Sequence, residues 1–395
     1  MTDRELFEIR THLLQAYLEE QRLDGLLLSR ADNFAMATGG KRNYVSIHTD
    51  MGANSLFVPR EGCPCFVGNA IEVTRQMAEE LGPLGCGSHV FPWYEGSAAE
   101  VVRQEFRGDL ASDDGSIGAN VHGALAPLRA LLTETELEKY RVLGRLTAEA
   151  MTATLRTVER GMSEADIAAR LVSEGAARHC HVPVALVAAD ERIRAFRHPL
   201  PTVAPLTAPG TGKCVEGYVM VAAGFLREGL VVSMTRFKRV SALPAGIAEA
   251  YARICAVDAR MQMATRPGRT LGDVFGDARQ AYVDLGFAPD EWHNHHQGGA
   301  TGYAGRTAKG TPDASLTILP SRWRNTLESR LGAPAASLGM AFAWNPSAPG
   351  VKSEDTFLLT ENGAAEIITS TPEFGYVDLE PLINQTVEVM KSAMA

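Results

Sequence analysis

The octapeptide RGMSEADI, Arg160–Ile167, decides how the rest of the chain is read. It places a glycine turn, then a serine suited to cap a helix, then an aspartate in the first turn, then apolar residues at helical spacing. The same order returns in PGRTLGDV, Pro267–Val274. Each copy follows a long helical segment and precedes strand-like sequence. The later part of the chain is therefore expected to hold two similar α/β halves. A match this short is also what any two helix starts share.

Upstream of the first copy, T-E-T-E at Thr133–Glu136 fits a capping box, and Leu137, Tyr140, Leu143, Leu146 and Ala150 continue a helical stripe. Before it, LFEIRTHLLQAYLEEQ is an amphipathic helix. LDGLLLSR, GANSLFVPREG and CPCFVGN read as strands, IEVTRQMAEEL as a helix and SIGANV as a strand. This alternation predicts a smaller α/β domain over residues 1–130 and a second, larger one over 131–395. Within the second, YVMVAAGF and LVVSMTRF form a hairpin turning near Arg227–Gly229. After the second copy come EWHNHHQGGATGY, GMAFAWNP and SEDTFLLTENGAAEIIT. Residues Thr307 to Ser337 read as a surface insertion, and the stretch from Gly363 as a turn and strand.

At 395 residues the chain exceeds one ordinary core. A hydrophobic share of 45% and a charged share of 22% are those of a globular protein. A net charge of −9 argues against a nucleic-acid partner, because phosphate binding needs a basic face. The start MTDRELFEIRTHLL has no apolar core of a leader, and no apolar run reaches membrane-spanning length, so a cytoplasmic protein without a membrane partner is expected. The six cysteines are scattered. Cys63 and Cys65 form an isolated C-x-C without the second pair that zinc needs, and free thiols are expected. Cys214 follows Lys213, a cation able to lower a thiol pKa, but a buried or half-buried thiol without a task is the stronger reading.

On these residues the chain resembles the pita-bread superfamily of methionine aminopeptidase, aminopeptidase P, prolidase and creatinase, with a creatinase-like amino-terminal α/β domain before the pita-bread domain. The resemblance covers nearly the whole length. The metallopeptidases of this superfamily hold two metals through Asp, Asp, His, Glu and Glu. In VMVAAG the first position is Ala222, and in GLVVSMTR the second is Ser233. In HQGG the histidine is His296. In GMAFAWNP the first glutamate position is Asn345, and in VKSEDTFLL the second is Glu354. Only His296 and Glu354 keep the ligand type. A pair of hard cations needs anionic oxygens, so no metal and no cofactor are expected. If strand alternation held through the cluster, His293 and His295 would point away from His296, leaving one zinc as a remaining option only where the loop breaks that alternation.

Creatinase implies that the fold works without metal, through a histidine before the first ligand strand. RHPLPT places His198 there. His198 is thus the expected proton-transfer group, with His296 and Glu354 beside it as catalytic residues. Asn345, Tyr303, Arg306 and Arg236 are candidates for binding the substrate. By resemblance to creatinase-like dimers, Lys41 and Arg42 in TGGKRNYV would reach a partner copy's site and meet an anionic group. For each, a structural role is the competing reading: a carboxylate paired with Arg236 or Lys352 for Glu354, ordinary surface residues for Tyr303 and Arg306, a solvated loop for Lys41 and Arg42. The glycines at 298, 299 and 302 are expected to allow close backbone approach rather than to cradle phosphate. The expected function is a metal-independent, homodimeric hydrolase of a C–N bond, amide or amidine-type, in a small carboxylated substrate. The alternatives are a lyase using His198 as base, a binding protein without catalysis and, least, a metal-dependent Xaa-Pro peptidase.

Overall fold

The computed structural model describes residues 1–207, 210, 212–332 and 337–373. A first sheet has strand order β4-β3-β2-β1-β5-β6, from β1 (Gly25–Arg30), β2 (Met51–Pro59), β3 (Cys65–Asn69), β4 (Gly87–Phe91), β5 (Leu110–Ser112) and β6 (Ala119–Asn120). The helix Asp3–Gln21 lies against it and buries Leu6, Phe7, Leu13, Leu14 and Leu18, the stripe its sequence spacing dictates.

Two further sheets follow. In one, β8 (His181–Ala189) and β10 (Leu230–Arg239) flank β9 (Tyr218–Arg227), all antiparallel. The β9–β10 hairpin turns through Glu228 (φ 49°) and Gly229 (φ 73°), as the sequence predicts, and both positions take the left-handed conformation that tight hairpins favour. The other sheet has order β12-β11-β13-β16-β17, from β11 (Gly298–Thr301), β12 (Ala308–Lys309), β13 (Leu338–Trp344), β16 (Asp355–Thr360) and β17 (Ala365–Ile367). The short strand β7 (Leu131–Thr133) also pairs with β13, and β14 (Ser347–Ala348) forms a separate ribbon with β15 (Val351–Lys352).

The expected duplication is visible bond by bond. Ser163 and Thr270 cap the helices Glu164–Ala177 and Leu271–Asp284, each accepting an N–H three residues on at 3.1 Å. Gly161 and Gly268 donate to Val215 and Ile318 at 2.8 Å each. Val215 and Ile318 donate back to Met162 and Arg269. Ser163 and Thr270 pair with Cys214 and Thr317 in matching isolated bridges. Long helices, Glu134–Thr157 and Ile247–Ala264, precede the two copies.

At the junction of the first sheet with the rest, Glu136 closes the expected capping box by accepting from Thr133 N at 2.8 Å. Its other oxygen accepts from Arg10 at 2.6 Å, and Arg10 also donates to the carbonyls of Leu128 and Leu131. Arg10 and Glu136 are fully buried, so neither charge is tolerable without the other. The segment expected as a surface insertion is in part structural: its helix Arg322–Leu331 buries Trp323 and Leu327 and packs against the first helix, where Arg330 pairs with Glu19. Residues 333–336 of that segment lie outside the described residues. Among the described residues no helix is long and apolar enough to cross a membrane.

Candidate active site

The five positions that align with the superfamily's metal ligands, Ala222, Ser233, His296, Asn345 and Glu354, line one cavity of about 650 Å³, together with His198, Arg306 and Lys352. The cavity lies between the two repeated halves. Strands β9 and β10 supply Ala222 and Ser233, and the end of β13 and the start of β16 bring Asn345 and Glu354 opposite. Strand β11 fits between β12 and β13 only as glycine: a Cβ on Gly298 would lie 2.2 Å from the Ala343 carbonyl oxygen, and one on Gly299 2.1 Å from that of Ala308. Close backbone approach is thus what these glycines permit, as expected.

Glu354 is buried and fully bonded. It accepts from Thr235 Oγ1 at 2.7 Å, from Arg306, and from Asn345 Nδ2 at 3.4 Å. Burial opposes its charge, yet Lys352 and Arg306 and the Thr235 hydrogen bond outweigh it and hold the carboxyl below its ordinary range. Arg306 also donates to Ser233 Oγ at 3.2 Å. A guanidinium therefore joins two of the positions that would otherwise serve cations.

Three imidazoles face this pair. His198, His295 and His296 bring one ring nitrogen each within 4.8 Å of one another. This corrects the expectation that His295 points away. The residues before it, Glu291–Asn294, form a short 3₁₀ turn, and the strand begins only at Gly298, so strand alternation does not apply at 295–296. The rings of His295 and His296 stack at 4.4 Å instead. His293, by contrast, is exposed and rests on Trp292.

Hydrogen bonding fixes the tautomers. Lys352 Nζ lies 3.3 Å from His295 Nε2, and an ammonium only donates, so His295 Nε2 accepts. With that one lone pair shared between two donors, the closer one at 2.8 Å is His198 Nε2–H, which leaves the His198 Nδ1 with a lone pair. His296 Nδ1 accepts from Gly298 N at 3.3 Å, so its Nε2 carries the proton. Burial and the neighbouring cations favour the neutral form of all three rings. Burial and then the Lys352 charge lower His198 and His295, and burial and then Arg306 push His296 down to about 3. Lys352 is itself pushed down to about 8 by burial, against the pull of Glu354.

The metal pair implied by the superfamily does not fit these residues. Ala222, Ser233 and Asn345 offer no anionic oxygen, and Glu354 is engaged by Arg306. The three imidazoles have a spacing suited to one ion. However, Lys352 at 3.3 Å from His295 and Arg306 on the adjoining carboxylate repel a dication there, and no carboxylate belongs to the cluster.

Other expected site residues lie elsewhere. Tyr303 is buried with its hydroxyl on Glu136 and its ring under Arg10, 5.4 Å from the guanidinium carbon, so it belongs to the junction and borders a smaller neighbouring cavity rather than this one. Arg236 is buried and clamps Asp355 at 2.6 Å, Thr371 at 2.6 Å and the Thr369 carbonyl at 2.8 Å, so its donors face the scaffold. Lys41 pairs with Asp3 and Arg42 with Glu80. Both border a smaller cavity of about 220 Å³, which shares Val231 and Gly305 with the larger one. Sequence reasoning passed over Lys352 as a pocket residue, although it stands two before Glu354, the spacing of one strand face.

Comparisons with known proteins agree with this architecture. The description "Metallopeptidase family M24" matches residues 138–361. No curated protein matches the chain significantly in sequence. Among solved structures, the dipeptidase PepE from Mycobacterium ulcerans superposes with a TM-score of 0.71 at 17% identity, covering 94% of this chain and 97% of that one. The prolidase from Pyrococcus furiosus gives 0.67 at 16% identity, covering 90% and 99%. The N-terminal domain of the FACT complex subunit SPT16 from Cicer arietinum (chickpea) gives 0.65 at 9% identity, covering 95% and 98%. At such identities the likeness is one of fold.

Proposed function

Since this chain belongs to metallopeptidase family M24 and has its hydrolase fold, we propose that it hydrolyses a C–N bond, amide or amidine-type, in a small carboxylated substrate without a metal. The observation carrying this reading is the pairing of Arg306 with Glu354 and Ser233 where cations would need free carboxylates, beside a neutral His198 open to the cavity.

The roles follow from the tautomers. His198 Nδ1, the free lone pair, takes a proton from the attacking water, and the 2.8 Å bond to His295 holds the ring and disperses the charge that forms. His296 Nε2–H donates to the substrate's carbonyl or imino atom as negative charge develops there. Glu354, kept ionised, anchors Arg306 and so fixes the wall against which the substrate lies. The protonated His198 then returns its proton to the departing nitrogen.

The test is amine release from a panel of N-acyl and amidino carboxylates, in chelator, by wild-type protein and His198→Ala. Release that survives chelation and is lost in the variant supports the reading. Release that appears only after manganese is added overturns it. Exchange of a substrate C–H in deuterated water without amine release would make the chain a lyase instead.

A further inference from the structure

Lys352 is 3% exposed, and among the described residues its ammonium hydrogen-bonds only to His295 Nε2, at 3.3 Å. Among the described residues it has no carboxylate within ion-pair distance. An ammonium carries three donors, and buried donors in folded proteins nearly always have acceptors. Glu354 serves both Lys352 and the ion-paired Arg306, Arg197 is paired with Glu291, and the remaining neighbour, Lys309, is exposed to solvent. Two cations, Lys352 and Arg306, thus share one carboxylate, which leaves one positive charge in excess at the cavity. Among the described residues four more buried polar atoms nearby have no hydrogen-bond partner, the nitrogens His295 Nδ1, Arg306 Nε and Arg197 Nη1 and the acceptor Asn345 Oδ1. Elsewhere the lining is apolar, with Pro183, Val184, Leu186 and Leu200.

We infer that the cavity takes a monoanionic carboxylate with an apolar tail, its carboxylate bonded to Lys352 Nζ and its carbon chain lying along Val184, Leu186 and Leu200. A single unmatched charge suits a monoanion and not a phosphate dianion. The inference deepens the reading of this cavity as the substrate site and does not depend on the bond that is cleaved there.

Calorimetric titration of the full chain with hexanoate, its neutral isostere hexanamide, and inorganic phosphate tests it. Hexanoate should bind wild-type protein about tenfold or more tighter than hexanamide, as expected for a hydrogen bond to a charged group. Lys352→Gln should bring the two within about twofold of each other, while Lys352→Arg keeps the preference. From butyrate to hexanoate the affinity should rise by up to about fourfold per methylene. Equal binding of acid and amide by wild-type protein, a preference retained in a folded Lys352→Gln, or phosphate binding tighter than hexanoate would each overturn the inference. Should Lys352→Gln fail to fold, the wild-type acid-to-amide ratio and the methylene series still decide. No hydrolysis enters these readings, so absence of C–N cleavage leaves the anion site standing, and cleavage without carboxylate preference removes the anion site alone.

Discussion

His198 Nε2 lies 2.8 Å from His295 Nε2, a bond that joins the two repeated halves of the chain across the cavity. The first half contributes the ring exposed to ligand and the second the ring that orients it. Removing His198 should lower kcat/KM about 10²- to 10⁴-fold on whichever substrate the amine-release panel finds. His295→Phe should cost less and act mainly on kcat, since it leaves His198 present but unoriented. Steady-state kinetics of both variants checks this.

The same constellation sets the pH profile. Because burial and Lys352 hold His198 below its ordinary value, the base form persists into mildly acid solution. Activity should therefore stay level as pH falls through 6.5, the ordinary histidine value, and decline only further down. On the alkaline side, substrate binding should weaken above about pH 8 as Lys352 loses its proton. A rate profile falling already at neutral pH on the acid side would contradict the assignment.

Metal content offers a direct check on the Arg306–Glu354 pairing. Protein purified without a chelator or histidine tag should contain far less than one equivalent of zinc or manganese by mass spectrometry, and added manganese should not raise its activity. Arg306→Gln should destabilise the fold by about 3 kcal/mol, because it leaves the buried Glu354 charge short of a partner. Denaturant titration measures that loss.

Asp258 gives a stability signature independent of catalysis. Its carboxyl is buried, bonded to Ser353 Oγ at 2.6 Å and Gln262 Nε2 at 3.2 Å, and burial pushes it up to about 7. The folded state thus binds more protons than the unfolded one between the ordinary aspartate value and about 7. The stability contributed at low pH is therefore lost as pH rises through that window. Asp258→Asn keeps an acceptor for Gln262 and turns the Ser353 bond round, its amide donating to Ser353 Oγ, and should raise stability at pH 8 by a few kcal/mol, on the order of the 1.4 kcal/mol per pH unit that linkage allows. His296, lowered to about 3, works the other way: the unfolded state binds its proton first, so acid below about pH 6.5 costs stability. Thermal melts from pH 4 to 9 separate the two.

Tyr303→Phe tests the relocation of that residue. The phenol serves Glu136 in the buried junction with Arg10, so its loss should lower stability by about 1–3 kcal/mol and leave ligand affinity unchanged. Loss of affinity at unchanged stability would return Tyr303 to the substrate's side.

What the sequence disclosed followed the range of the physics involved. Capping at Ser163 and Thr270 is chemistry within three residues, and it revealed the repeat. The Glu228–Gly229 turn and the crowding at Gly298 are equally local. The five cavity positions were found because their strands carry recognisable neighbours. Arg236 and Tyr303 were misplaced because a polar tip does not announce its partner: Tyr303 meets Glu136 across 167 positions of chain. His295 was misdirected by extending strand periodicity to a residue three positions before the strand begins at Gly298, and Lys352 was legible from its spacing to Glu354 but was weighed only as a partner for it.

The repeated turns at Gly161 and Gly268 have a mechanical consequence. Each fastens its own half internally, through Val215 and Ile318, and neither spans the cavity. A molecule touching both His198 and Lys352 would be a rivet between two separately braced plates. Its grip would add to the resistance of the pair against parting, in proportion to the logarithm of its concentration.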